Sequence, residues 1–159
     1  MKHFTPDIHI ELPSLTEERV SVSDFGAKAE AGSCSTAAFR KALSACETLP
    51  GAVLEIPHGV YHFYEAPGDV FLPVHGLHDL TVEGNGSELI FHSSVAYWDI
   101  ADSSRVHLKN MVLDWAWDDA PLSTVGVVRH TAQDGRYLDI EFPSCSYIPS
   151  DMDIRIVGP

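Results

Sequence analysis

Acidic and imidazole side chains recur through the middle of the chain at one shared spacing. His62, Glu88 and Asp114 follow one another at a constant step of 26, and the same step leads from His92 to Asp118. A fold that stacks residues at that step places the first set in one outward column and the second in another. Carboxylates held at inter-strand distance repel one another, which raises a pKa and makes a general acid. Glu88, Asp114 and Asp118 are therefore the candidate catalytic residues, with His62 and His92 as candidate substrate-binding residues. The same columns can hold a sugar hydroxyl or a cation, and a solvated ladder of polar side chains is the bland alternative. His58, His75, His78, His107 and His130 show no metal-ligand spacing, so no metal is expected. The sequence contains no glycine-rich phosphate loop, no Gly-x-Ser-x-Gly and no His-Glu-x-x-His, and no cofactor is expected.

Such columns require a repeating scaffold, and the apolar residues supply one. Leu54 and Ile56 in VLEIP, Leu80 and Val82 in DLTVEG, and Val106 and Leu108 in RVHLKN are related by that same step. It also links Phe63, Leu89 and Trp115, then Glu65, Phe91 and Trp117, and it pairs Leu72 with Trp98 and Val74 with Ile100. Short alternating runs at a fixed period of this size predict a solenoid. A parallel β-helix takes about three strands per coil and stacks its coils at ~4.8 Å. Turns are expected at Pro57-His58-Gly59, Gly84-Asn85-Gly86 and Lys109-Asn110. Alternation sends Leu80, Val82, Leu89, Phe91, Leu113, Trp115 and Trp117 inward, and Asp114, Ala116 and Asp118 outward. The two tryptophans could stack on sugar rings if exposed, but this register makes them core.

The stretch DFGAKAEAG, from Asp24 to Gly32, contains the metal-binding tripeptide of protein kinases. The short segment that precedes Asp24 contains no glycine, so the upstream kinase loop has no place. Phe25 is expected as a core anchor and Gly26 as a turn between a strand, from Arg19, and a helix. That helix, near residues 36–48, has Ser35 or Thr36 as its cap and Phe39, Ala42, Leu43 and Cys46 as its apolar stripe. Pro50-Gly51 ends it, and the helix caps the first coil. Beyond Pro121 the period breaks, and STVGVVRHTAQDGRYLDIEF reads as a β-hairpin around Gln133-Asp134-Gly135. The organisation expected is an extension at 1–18, a cap and first coils at 19–121, and an incomplete β-hairpin module at 122–159.

Composition bounds the function. The 159 residues suit one domain, and 45% hydrophobic content excludes a disordered chain. Ten Lys and Arg stand against 23 Asp and Glu, a net charge of -13. So acidic a chain repels phosphate backbones and anionic lipid, which argues against nucleic-acid and membrane partners. Cys34, Cys46 and Cys145 form neither a disulfide framework nor a zinc site. Cys46 is a small core residue on its helix. No apolar run resembles a secretory signal or a membrane span, so the expected location is cytoplasmic as the chain stands, or secreted if its N-terminus is truncated.

VSDFGAKAEAG, STAAFRKAL, VLEIPHGVYHF, LTVEGNGSELIF and VHLKNMVLDW resemble the N-terminal cap and first coils of pectate-lyase-like right-handed parallel β-helix proteins, over residues 19 to 117. YHFY at 61–64 and IFH at 90–92 are also similar to β-helical α-1,3-galactosidases. The resemblance implies an all-β, right-handed parallel β-helix with an N-terminal capping α-helix and a small antiparallel β module towards the C-terminal end. Of the four polygalacturonase motifs, only a paired aspartate, Asp118-Asp119, is present. Where the superfamily carries acids before its cap helix, this chain has Ser33-Cys34-Ser35. The implied function is the N-terminal part of a glycoside hydrolase acting on a neutral, galactose-type glycan. The alternatives are a non-catalytic glycan-binding or structural β-helix module, or a polysaccharide lyase-like protein. Lyases acting on uronates usually need calcium and a basic residue against the substrate carboxylate, and the acidic balance favours a neutral sugar. The partner expected is carbohydrate, with catalytic carboxylates from coils beyond residue 159 and self-association through the open end of the solenoid.

Overall fold

Short runs of alternating apolar residues before Trp117 become strands that pair in parallel. The computed structural model describes residues 10–93, 95–117 and 126–143. It is mostly strand with one α-helix, as expected for an all-β chain. β1 (Arg19–Ser21) pairs with β2 (Val53–Glu55), and β2 pairs with the first half of β5 (Thr81–Phe91). β3 (Val60–Phe63) pairs with the second half of β5, and β7 (His107–Trp115) covers the far side of β5. A separate two-stranded sheet joins β4 (Val70–His75) to β6 (Ala96–Ala101). The chain therefore makes successive passes, each strand lying beside its counterpart one pass earlier.

The register corrects the uniform step of 26. Leu54 pairs with Val82 rather than Leu80, and Phe63 with Phe91 rather than Leu89, both steps of 28. Between β4 and β6 the step is 26, so Leu72 meets Trp98 and Val74 meets Ile100 as expected. From β5 to β7 it is 26 at Val82 and Leu108, then 24 from Ser87 and Met111 to Phe91 and Trp115. Two loops account for these changes. The link from Phe63 to Val70 is longer by two than that from Phe91 to Ala96, and the corner Glu83–Ser87 is longer by two than Lys109–Met111. A slip by two leaves each side chain on its original face, whereas a slip by one would reverse every face. Within the paired strands the inward and outward assignments thus survive although the columns themselves change.

The core follows from those faces. Val20, Leu54 and Val82 line one inner column, and Tyr61 with Leu89 another, all buried. Leu113 continues the second column but is 41% exposed, since β7 is an edge strand among the described residues. Trp115 is buried as expected, whereas Trp117 follows the end of β7 and is exposed, so it is no core residue. α1 (Thr36–Cys46) packs its stripe of Phe39, Ala42, Leu43 and Cys46 over the first pass. Phe39 meets the rings of Tyr61 and Phe63 edge-on, at centroid distances of 5.4 and 5.0 Å. Ser35 occupies the N-cap position without a side-chain cap bond, and its amide instead donates to the carbonyl of His62. The Asp24-Phe25-Gly26 tripeptide belongs to a 3-10 turn, Val22–Phe25, closed by Gly26 in the left-handed region. Val22 is the fully buried anchor there, while Phe25 is half-buried against the core margin.

Polar contacts tie the passes together at the corners. Asn85 and Asn110 take positive φ, 50° and 55°, at the bends inside β5 and β7. Glu83 accepts from the Asn85 amide at 3.0 Å and the Asn110 side-chain amide at 2.9 Å, and pairs with Lys109 at 3.0 Å. Gly84 is required here, since a Cβ would lie 2.5 Å from the Asn110 carbonyl oxygen. Arg105 grips Asp79 one pass earlier, and Asp79 also accepts from the Ser14 amide at 2.9 Å. The segment before β1 is further held where the Thr16 amide donates to the Gly51 carbonyl.

The chain divides into two compact units, Met1–Ala120 and Pro121–Pro159. In the second, β8 (Val127–Thr131) and β9 (Leu138–Glu141) form the expected antiparallel hairpin. The Ala132–Tyr137 and Gly135–Ala132 backbone bonds close its turn. The rest of the 122–159 module, with Cys145, lies outside the described residues.

Two measurements test this packing. Phe39→Ala or Leu43→Ala should each cost about 2–5 kcal/mol in urea unfolding, as large-to-small changes in a filled core do; an unchanged midpoint would remove α1 from the core. The hydrogen bonds from Asn110 and Asn85, with the Lys109 charge, lower the Glu83 pKa to about 2. A depressed folded-state pKa contributes stability above the ordinary carboxylate value that disappears as pH falls through the folded value. Glu83→Gln should therefore flatten the loss of stability between about pH 4.5 and pH 2, read from melting temperatures across that window.

Candidate functional site

The outward face of β3, β5 and β7 carries the residues singled out for chemistry. His62 pairs with Ile90, and Ile90 with Asp114, so the column reads His62–Ile90–Asp114. Glu88 belongs to the neighbouring column, between Val60 and Val112. The expected His62–Glu88–Asp114 column is therefore absent, because the steps are 28 and then 24 rather than twice 26. No carboxylate in these two columns lies directly beside another, which removes the mutual repulsion that would raise a pKa. Asp118, with the expected His92–Asp118 column and the Asp118-Asp119 pair, lies outside the described residues. Asp114 is exposed, and its Oδ1 accepts from the Trp115 amide at 2.7 Å. Burial, and next the Asp114 charge, raise the pKa of Tyr97.

The two candidate histidines do come together. His62 Nδ1 and His92 Nε2 share a hydrogen bond of 3.0 Å across adjacent passes. Tyr64 completes the cluster, its ring 5.7 Å from His62 and nearly parallel at 9°, and 4.0 Å from His92 at 32°. All three rings are half-buried. The Tyr64 hydroxyl accepts from the Gly32 amide at 3.1 Å, which ties the turn before α1 to this face. Cys34, paired with His62 in a parallel bridge, adds an exposed thiol to the same column. Its burial opposes ionisation, yet hydrogen bonding with the Thr36 hydroxyl and with the backbone at Glu65, Thr36 and Tyr64 outweighs that and lowers its pKa. Cys46, by contrast, is buried in the core, which pushes its thiol up to about 11.

Tyr64, Ile90 and Cys34 were not among the residues expected here. The alternation in YHFY does place His62 and Tyr64 on one face, but only the longer step of 28 brings Tyr64 to His92. The assembly brings two imidazoles and a phenol ring together, with the Asp114 carboxylate on the same face across Ile90. Among the described residues, no group of three or more His, Cys, Asp or Glu side chains is arranged to hold a metal ion. Among them, too, no helix is long and apolar enough to cross a membrane.

No family model matches the chain. Individual proteins do. The likeness is to α-1,3-galactosidases. α-1,3-Galactosidase B of Bacteroides thetaiotaomicron is 33% identical over 144 residues, covering 80% of this chain and 23% of that protein. α-1,3-Galactosidase A of Shewanella woodyi is 30% identical over 141 residues, covering 79% and 23%. α-1,3-Galactosidase B of Akkermansia muciniphila is 28% identical over 144 residues, covering 80% and 18%. The chain thus spans less than a quarter of the length of these relatives, and the expected likeness to such enzymes stands.

The shared imidazole bond is measurable. A double-mutant cycle of His62→Ala and His92→Ala in urea unfolding should give a coupling of about 0.5–1.5 kcal/mol. Additive single effects would show that the two rings do not support each other.

Proposed function

We propose that the chain is the N-terminal part of a glycoside hydrolase acting on a neutral, galactose-type glycan, built on a right-handed parallel β-helix of the pectate-lyase-like kind. The observation that carries this is the 33% identity over 144 residues to a protein named α-1,3-galactosidase. The parallel passes of β2 to β7, with α1 over the first of them, support the scaffold. The charge of -13 favours a neutral sugar over a uronate or a phosphorylated partner. Glycoside hydrolysis needs two carboxylates flanking the scissile bond. The separation of Glu88 from the Asp114 column argues that the pair comes from elsewhere in the whole protein. That same separation favours the second reading, a glycan-binding or structural module without catalysis.

The last passes bear on self-association. Ile100, Val112 and Leu113 are exposed on β6 and β7, which are edge strands among the described residues. Such an edge recruits further strands, from the same protein or from another copy.

A chimera tests the reading. Residues 10–117 would replace the matching stretch of the Bacteroides thetaiotaomicron enzyme, and hydrolysis of an α-1,3-linked galactoside would be measured. Retained turnover is expected, and a folded but inactive chimera would overturn the assignment. Residues 1–159 alone should be silent on aryl α-galactosides and on pectic polymers, and should associate with increasing concentration. Turnover by a stable monomer would contradict both expectations.

A further inference from the structure

A cleft runs beside the buried stripe of α1. Arg40, Leu43, Ser44 and Glu47 fall at i, i+3, i+4 and i+7 on one helix face, and Pro73, His75 and Leu77 line the opposite wall. The cleft holds about 250 Å³. Sites for drug-sized molecules run to roughly 300–1,000 Å³, so its occupant is small. Its two ends carry opposite charge. At one end Nη1 of Arg40 donates to the carbonyls of Val70 and Phe71, at 3.1 and 3.0 Å, which fixes the guanidinium against the start of β4. Nε and Nη2 make no hydrogen bond among the described residues, and that pair is the fork that takes a carboxylate in two parallel bonds. At the other end Glu47 is the C-cap of α1, and its carboxylate has no partner among the described residues. The last turn of α1 carries no basic residue, so Glu47 and the negative end of the helix dipole together favour a cation there. We propose that this cleft binds a free α-amino acid with an apolar side chain.

Both charges of that ligand have a counterpart here. Its carboxylate fits the Nε–Nη2 fork of Arg40 and its ammonium fits Glu47, with the Ser44 hydroxyl, able to donate or accept, between them on the same face. Nε2 of His75 lies 2.8 Å from the Asp99 carboxylate, and with the proton there Nδ1 is an acceptor that also suits an ammonium. Leu43 and Leu77, both buried, and Pro73 supply apolar surface for the side chain. Seven residues of helix separate Arg40 from Glu47 by about 10.5 Å along its axis. That distance suits one small molecule with adjacent charges and a charge-assisted bond at each end. A simple carboxylate leaves Glu47 unmatched, and a neutral sugar matches neither charge. The cleft shares no residue with the outer face of β3, β5 and β7, so binding here is independent of the galactoside reading.

The test is an NMR titration of the full chain, following backbone amides, with L-leucine, 4-methylpentanoate and 3-methylbutylamine as probes. The second lacks the ammonium and the third the carboxylate, while the branched body is the same. Saturable shifts at Ser44, Glu47 and Leu77 are expected with leucine, at a Kd on the order of 1 mM, and binding of the other two should be about tenfold weaker or more. Glu47→Gln should weaken leucine by about tenfold and leave 4-methylpentanoate unchanged. Arg40→Lys keeps the charge but loses the fork, and should weaken leucine and 4-methylpentanoate together while leaving the amine unchanged. Glu47 is exposed at the helix end, so its variant tests the site even where Arg40→Lys loosens the cap. Equal binding of the three probes, leucine binding that survives Glu47→Gln, shifts confined to other residues, or no response to leucine would each overturn the site. The chimera reports on the galactoside reading independently of these outcomes.

Discussion

A continuous run of aromatic rings holds the first unit together. Phe39 on the helix meets Phe63 edge-on at 5.0 Å, and Phe63 stacks on Phe91 at 4.7 Å. Phe91 stacks on Tyr97 at 4.3 Å, and Tyr97 approaches Trp115 at 5.3 Å. Each contact adds about 0.5–1.5 kcal/mol beyond the area it buries. More important, each ring belongs to a different segment of chain, so the run ties the helix to the passes. The outer-face residues inherit their positions from it. His62 lies between Tyr61 and Phe63, and His92 directly follows Phe91, so the imidazole pair is placed by the rings beneath it.

What the sequence revealed depends on the range of the signal. The helix stripe of Phe39, Ala42, Leu43 and Cys46 is local, falling within a few turns, and each member is buried as expected. Strand alternation is equally local, and Leu80, Val82, Leu89 and Phe91 all face the core. Axial register is different. It depends on loop lengths that alternation does not report, and the uniform step paired Leu54 with Leu80. Apolar columns tolerate that error because any inward neighbour is apolar. Polar columns do not, since moving His62 from Glu88 to Ile90 removes the chemistry expected of the pair. Val22 was overlooked for a related reason: Phe25 is the larger side chain, but the 3-10 turn aims the smaller one inward.

The same register gives the candidate site a different character from the one its carboxylates suggested. Glu88 sits between two valines, and Asp114 is separated from His62 by an isoleucine. The remaining cluster is aromatic and imidazole, with Cys34 at its margin. Residues of this type recognise surfaces and hydroxyls, and they need only loose placement compared with an acid and a base on opposite sides of one bond. Contact residues can therefore be present without reactive ones.

The inter-strand steps of 28, 26 and 24 share one property: all are even. Shortening the corner Glu83–Ser87 by two, to the length of Lys109–Met111, leaves every following side chain on its old face. The sheet behaves as a text with a reading frame of two. Insertions or deletions of paired codons at its corners are silent with respect to what points inward. A single inserted codon is a frameshift, turning Phe91 or Trp115 out to water and the imidazoles into the core. A repeat whose length changes by twos keeps its interior, and a reading that assumes a constant period mispairs its columns.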